Sequence, residues 1–185
     1  MIVLIIESAA IEHDYDHEHE YQNQSEICLE AENDSFVRGS LSMLDPKRTV
    51  ADLKELRALT GDENGAQRVA FTETWVQARQ WLQGKVQTIP RVETHRDEAG
   101  NFWATLRGES EKALLMGGHI DSVPNGGWLD GCLNTMAAVE ILRRLSAQYR
   151  GKPPVTVRVV DWTDEEGARF GKDLFSSSAC SEIST

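Results

Sequence analysis

The chain has 185 residues, enough to enclose one hydrophobic core, and its 40% hydrophobic and 26% charged residues are those of an ordinary globular protein. Its formal net charge of −11 argues against nucleic-acid and anionic-membrane partners, which call for clustered Lys and Arg. Most of that charge lies at one end: residues 1–40 hold ten carboxylates against Arg38 alone, contributing −9 of the −11.

Cys28, Cys132 and Cys180 are odd in number, widely spaced and without a CxxC pair. Neither a disulfide framework nor a thiolate zinc knuckle is indicated, and a reducing cytoplasm is the expected location. The apolar opening at Ile2–Ile6 lacks a basic flank and is too short for a signal segment or a membrane span. It reads as a buried strand or as the start of a leader. Residues 7–40 are rich in Glu, Asp, Gln, Asn and His, show no periodicity, and read as an acidic leader that is poorly ordered. His13, His17 and His19 among acids could take up a metal opportunistically, but a solvated tail is the expected reading.

Order is expected from Asp45-Pro46, an N-cap followed by proline at the first helical position. Val50, Leu53, Leu56 and Leu59 supply the apolar stripe of that helix, and Gly61 is its stop. A second helix starts after Thr72, burying Trp75, Ala78, Leu82 and Val86, and ends before Pro90. Residues 91–96 and 101–107 read as strands joined by the turn Asp97-Glu98-Ala99-Gly100. Ala113–Met116 has the pattern of a strand covered on both faces. Residues 132–149 are helical, with Ala138, Ile141, Leu142, Leu145 and Tyr149 on one stripe, and Val155–Trp162 is the next strand. Strand, helix, strand is the βαβ unit of a parallel sheet. Arg158 is out of place in a fully buried strand, which leaves that strand's place in the sheet open.

The chemistry gathers at the two strand ends, where open α/β sheets place their sites. His119 and Asp121 are two apart in an extended segment and share a face, so the carboxylate can fix the imidazole's tautomer, as behind many metal-binding histidines. Gly126, Gly127 and Gly131 let the following loop return Asp130 toward His119, and a carboxylate has the two oxygens needed to bridge two cations. The second strand ends in Asp161-Trp162-Thr163-Asp164-Glu165-Glu166-Gly167. Acids crowded at a buried strand end repel one another without a cation. Adjacent residues there point in different directions, so one glutamate can ligate metal while its neighbour serves as general base. Each piece alone is more often structural than catalytic; together on a βαβ scaffold they favour a metal site. Cys132, at a helix start, reads as packing rather than as a thiolate ligand. Ser176, Ser177 and Ser178 lack a nucleophile elbow and read as a small-residue helix start. Trp128 either lines a pocket or caps its loop.

The segments GGHIDSVPNGGWLDG and VVDWTDEEGARFG, with QRVAFT at 67–72, resemble the zinc-dependent amidase, hydantoinase and carbamoylase family, from about Asp45 to Cys180. That family includes N-carbamoyl-L-amino acid hydrolases, beta-ureidopropionase and allantoate amidohydrolase. The resemblance implies an α/β fold: part of a dinuclear-zinc aminopeptidase/carboxypeptidase-like catalytic domain, with a mostly parallel central sheet and flanking helices. It implies that residues 41–185 form the N-terminal part of that domain, as in a truncated chain. His119 would bind one metal, Asp130 bridge both, and Glu166 bind the other, with Glu165 as general base and Asp121 as partner of His119. The cofactors implied are two divalent ions, zinc or else manganese or cobalt, with an incomplete ligand set because the family's further histidines have no counterpart here. The implied substrate is a small ureido or amide compound, and the implied activity is hydrolysis of non-peptide carbon–nitrogen bonds, most directly in N-carbamoyl-L-amino acids. The family's homodimer is implied too, although its dimerisation domain has no counterpart in this sequence. The alternatives are a truncated, catalytically inactive fragment of that family, and a metallopeptidase or N-acyl amino acid deacylase.

Overall fold

The computed structural model describes residues 4–6, 44–172, 174 and 176–177, with residues 4–6 and Glu111 described by their backbone alone. The acidic leader at 7–40, the division at residue 40, Cys28, Cys180, Ser178 and the ending at 181–185 lie outside the described residues.

Strand β1 (Leu4–Ile6) comes first, followed by helix α1 (Pro46–Thr60), whose Asp45 side chain accepts from the backbone N–H groups of Lys47 and Arg48. Those are orphan donors of the first turn, and Pro46 has none to lose. The buried face of α1 differs from the expected one. Leu53 and Leu56 are inside, but Val50 and Leu59 are exposed while Thr49, Asp52 and Thr60 are buried. Polar partners explain the rotation: Asp52 pairs with Lys85 at 2.9 Å and Arg143 at 3.0 Å, and the Thr60 hydroxyl accepts from Arg68. A short hairpin, β2 (Gly61–Asp62) and β3 (Gly65–Ala66), leads to helix α2 (Glu73–Gln87), which buries the four expected residues and Arg79 besides.

Strands β4 (Val92–Arg96) and β5 (Phe102–Leu106) form the expected hairpin. Strand β6 (Ser110–His119) is longer than its apolar run and carries His119 as its last residue. Helix α3 (Cys132–Gln148) and strand β7 (Val155–Trp162) complete the βαβ unit, with β6 and β7 parallel. The sheet order is β1-β6-β7-β5-β4, which settles the place of β7 between β6 and β5.

The α/β class holds, but the sheet is mixed and not mostly parallel. Among the described strands β1–β6, β4–β5 and β5–β7 are antiparallel, and β6–β7 alone is parallel. The cause is local: a tight hairpin can only join antiparallel strands, and β5 docks on β7 with its partner beside it. The core lies between the helices and one face of the sheet, where Phe102, Ala104, Leu106, Met116, Val157 and Val159 meet Leu53, Leu82, Val139 and Leu142. Arg158 is exposed on the opposite face, in register with Thr105 and Leu115, so β7 is central in the sheet yet not covered at that position on both faces. There Trp103 packs on His95 and meets Trp162 edge-on. Among the described residues no helix is long and apolar enough to cross a membrane.

Candidate metal centre

Parallel pairing sets Gly118 beside Asp161 and His119 beside Trp162, so β6 and β7 deliver their polar ends to the same edge of the sheet. The register is fixed further by Asp161, whose carboxylate accepts the Ile120 backbone N–H at 2.8 Å across the two strand ends.

His119 is the hub. Its side chain is 9% exposed; Nε2 lies 3.4 Å from Glu165 and Nδ1 lies 3.6 Å from the Asp121 carboxylate, with the Asp121 backbone carbonyl nearer at 3.2 Å. Burial works against a charged ring, yet Asp121 and Glu165 outweigh it and lift His119 to about 9. The other Asp121 oxygen accepts the Glu166 backbone N–H at 3.3 Å, so one buried carboxylate joins the histidine to the glutamate pair. Gly131 approaches the imidazole so closely that a Cβ there would stand 2.3 Å from Nε2, and its φ of 61° is in the left-handed region. The glycine therefore does more than loosen the loop: its missing side chain is where the ring sits.

Glu165 and Glu166 are half-buried, whereas Asp130 is exposed. Burial pushes the Glu166 carboxyl above its ordinary value; His119 opposes this, and the charges of Asp130, Asp121 and Glu165 add to it. The structure thus brings His119, Asp121, Glu165 and Glu166 together, with Asp130 close enough for its charge to be felt at Glu166.

In chemistry these donors suit a divalent cation: an imidazole, several carboxylates in mutual repulsion, and a buried Asp121 oxygen with no hydrogen-bond partner. In spacing they are open, because among the described residues no three His, Cys, Asp or Glu side chains converge to hold an ion.

Cys132 is buried, and its thiol is pushed up to about 11, chiefly by burial, which suits packing and not ligation. Ser176 is buried in a helical turn, its hydroxyl accepting the Thr163 N–H at 2.8 Å. Trp128 lines a cleft with Lys54, Arg57, Gly61 and Asp62, and that cleft includes none of the candidate residues.

Sequence reasoning missed two buried arginines that hold the strand ends. Arg79 reaches from α2 to the end of β7, its Nε 2.7 Å from Asp161 and its Nη2 donating to the Asp161 carbonyl at 3.0 Å and to Thr163 at 2.8 Å. It lies over the Trp75 ring, 4.4 Å from the centroid, and also donates to the Gly100 carbonyl. Arg68 holds the end of β6 through the Ile120 carbonyl at 2.7 Å. The available signal was positional: Arg79 falls at the apolar spacing of α2, one residue after Ala78 and three before Leu82.

Fold and strand-end site together define an α/β scaffold that carries a carboxylate–histidine cluster at the ends of adjacent parallel strands. Residues 101–184 match the sequence profile of Peptidase family M28. The chain is 32% identical over 138 residues to an allantoate amidohydrolase of Bacillus subtilis (strain 168), covering 72% of this chain and 33% of that protein. It is 32% identical over 121 residues to an N-carbamoyl-L-amino-acid amidohydrolase of Pseudomonas sp. (strain NS671), covering 62% of this chain and 28% of that protein. Among solved structures, an amidase of the hydantoinase/carbamoylase family from Burkholderia phymatum superposes with a TM-score of 0.59 at 34% identity, over 68% of this chain and 30% of the other. The chain is thus related in sequence and fold to the hydantoinase/carbamoylase amidases, and it spans about a third of the length of the curated relatives it matches.

Proposed function

We propose that this chain carries part of the catalytic site of a metal-dependent amidohydrolase acting on non-peptide carbon–nitrogen bonds, with N-carbamoyl-L-amino acids or related ureido acids as substrates. The observation that carries the reading is the grip on His119, by Asp121 at one ring nitrogen and Glu165 at the other. Bound divalent ions, held by His119, Asp130 and Glu166, would supply Lewis-acid polarisation of the carbonyl and lower the pKa of the attacking water. Glu165, with 30% of its side chain exposed, is open to solvent and substrate. It takes the proton of the attacking water and returns it to the departing nitrogen, so that a C–O bond forms as the C–N bond breaks. Asp121 keeps the His119 ring in place and, through the Glu166 N–H, holds the glutamate turn against it.

The test is ammonia release from N-carbamoyl-L-amino acids by the purified chain with zinc, manganese or cobalt. Glu165→Gln should lower kcat by about 10²- to 10⁴-fold with little change in KM. No release by folded protein with any of these metals would overturn the reading for this chain.

A second reading, an inactive relative on the same fold, is favoured by the open spacing of the donors. Metal analysis finding two tightly held ions per chain would overturn it. The match to a peptidase family favours a third, a metallopeptidase or N-acyl amino acid deacylase. Profiling with dipeptides and N-acetyl amino acids beside carbamoyl compounds separates it from the first.

A further inference from the structure

Arg68 is fully buried, yet among the described residues no carboxylate lies within ion-pair range of it. Arg79, the other buried arginine, has Asp161 at 2.7 Å. A buried cation without a contacting anion is costly, and an aliphatic side chain of similar volume would fill the space without that cost.

What Arg68 has in place of an anion is three acceptors in three directions. Nε donates to the Ile120 carbonyl at 2.7 Å, Nη1 to the Thr60 hydroxyl at 3.1 Å, and Nη2 to the Cys132 sulfur at 3.1 Å. Its backbone is committed to the same place: its N–H donates to the Ser122 hydroxyl at 3.0 Å, and its carbonyl accepts the Ser122 N–H at 3.0 Å. Ile120 lies between His119 and Asp121. Cys132 follows Gly131, which presses on the His119 ring, and lies two residues after Asp130. One planar group therefore touches both arms of the site from behind and ties them to the last residue of α1. A guanidinium fixes such angles because its donors lie in one rigid plane, which a lysine ammonium cannot reproduce.

We propose that Arg68 is a positioning residue of the hydrolytic site, its guanidinium fixing the His119–Asp121 strand end relative to the Asp130–Cys132 turn. The inference rests on the hydrolase reading above for its functional meaning, but not for its geometry.

The experiment compares the full chain with Arg68→Lys and Arg68→Met in three measurements: thermal melting, calorimetric titration with zinc chloride, and turnover of an N-carbamoyl-L-amino acid. The expected result is that Arg68→Lys folds but loses about tenfold or more in zinc affinity and in kcat, with KM little changed. Lysine restoring both to the level of the unmodified chain would overturn the proposal. Should the Arg68 variants not fold, Cys132→Val, which deletes the sulfur acceptor at similar volume, is expected to weaken zinc binding several-fold; unchanged binding would overturn the proposal.

Failure of the hydrolase reading itself, with neither zinc binding nor turnover in the unmodified chain, leaves a fourth measurement decisive. A double-mutant cycle on stability pairs His119→Ala with Arg68→Lys, or with Cys132→Val where the Arg68 variants do not fold. Non-additive destabilisation is expected for groups in one network, and strict additivity would refute positioning of His119 by the Arg68 network.

Discussion

At the scale of single residues, the site is defined by what surrounds one imidazole. His119 is held by Asp121 and Glu165 and faced by the bare backbone of Gly131. Gly131→Ala therefore meets two penalties, a left-handed backbone and a Cβ 2.3 Å from Nε2. Urea unfolding should show a loss of about 1–3 kcal/mol, accompanied by weaker zinc binding because the ring must move. Full stability and full zinc affinity together would contradict this account of the loop. That His119, Asp121, Glu165 and Glu166 would meet was legible in the sequence, because a βαβ unit brings the ends of its two parallel strands to one edge of the sheet. Arg68 and Arg79 were not, since pattern reading assigns a charge to solvent unless its partners are known, and those partners lie 52 and 82 residues away in sequence.

At the scale of elements, strand β7 carries the glutamate turn, and its end is fastened by charges buried from solvent. Burial raises the Asp161 carboxyl from its ordinary value of 3.8 to about 6, Arg79 opposing the shift and Asp121 adding to it. In the folded chain Asp161 therefore keeps its proton to higher pH than in the unfolded chain. Its contribution favours folding fully below about pH 4 and is lost as the pH rises through about 6. Asp161→Asn, which retains an oxygen to accept the Ile120 N–H, should flatten that part of the curve of melting temperature against pH. An unchanged decline between those values would show that another group is responsible. The limits of the first helix and the start of the second were well read from caps and turns: Asp45, Gly61 and Thr72 sit where expected. The outward turn of Val50 and Leu59 was not legible, because Asp52 and Thr60 are buried only by virtue of Lys85, Arg143 and Arg68 from other segments.

At the scale of the whole molecule, the helices cover one face of a mixed sheet, and the candidate centre lies at the sheet's edge where β6 and β7 end. The βαβ unit was legible from its period changes, whereas the antiparallel company on either side of it was not. Nothing in an apolar run tells which neighbour it will pair with. If the carboxylate cluster takes up metal in the folded chain only, zinc must stabilise the whole fold by mass action. With free zinc at about 100 times its Kd the gain is about 2.7 kcal/mol, read as a rise in melting temperature that a chelator reverses and His119→Ala abolishes. A melting temperature indifferent to zinc would argue for the inactive relative.

The contact between Gly131 and His119 has a consequence for descent. Every change of a glycine codon that yields another amino acid adds a Cβ, and at position 131 that atom falls within the space of the ring. A side chain at position 131 is therefore compatible only with a displaced imidazole. A descendant that abandons His119 is released from the clash, and only the left-handed backbone still favours glycine there. The two positions are thus expected to change together, with glycine at 131 kept wherever the imidazole opposite it is kept.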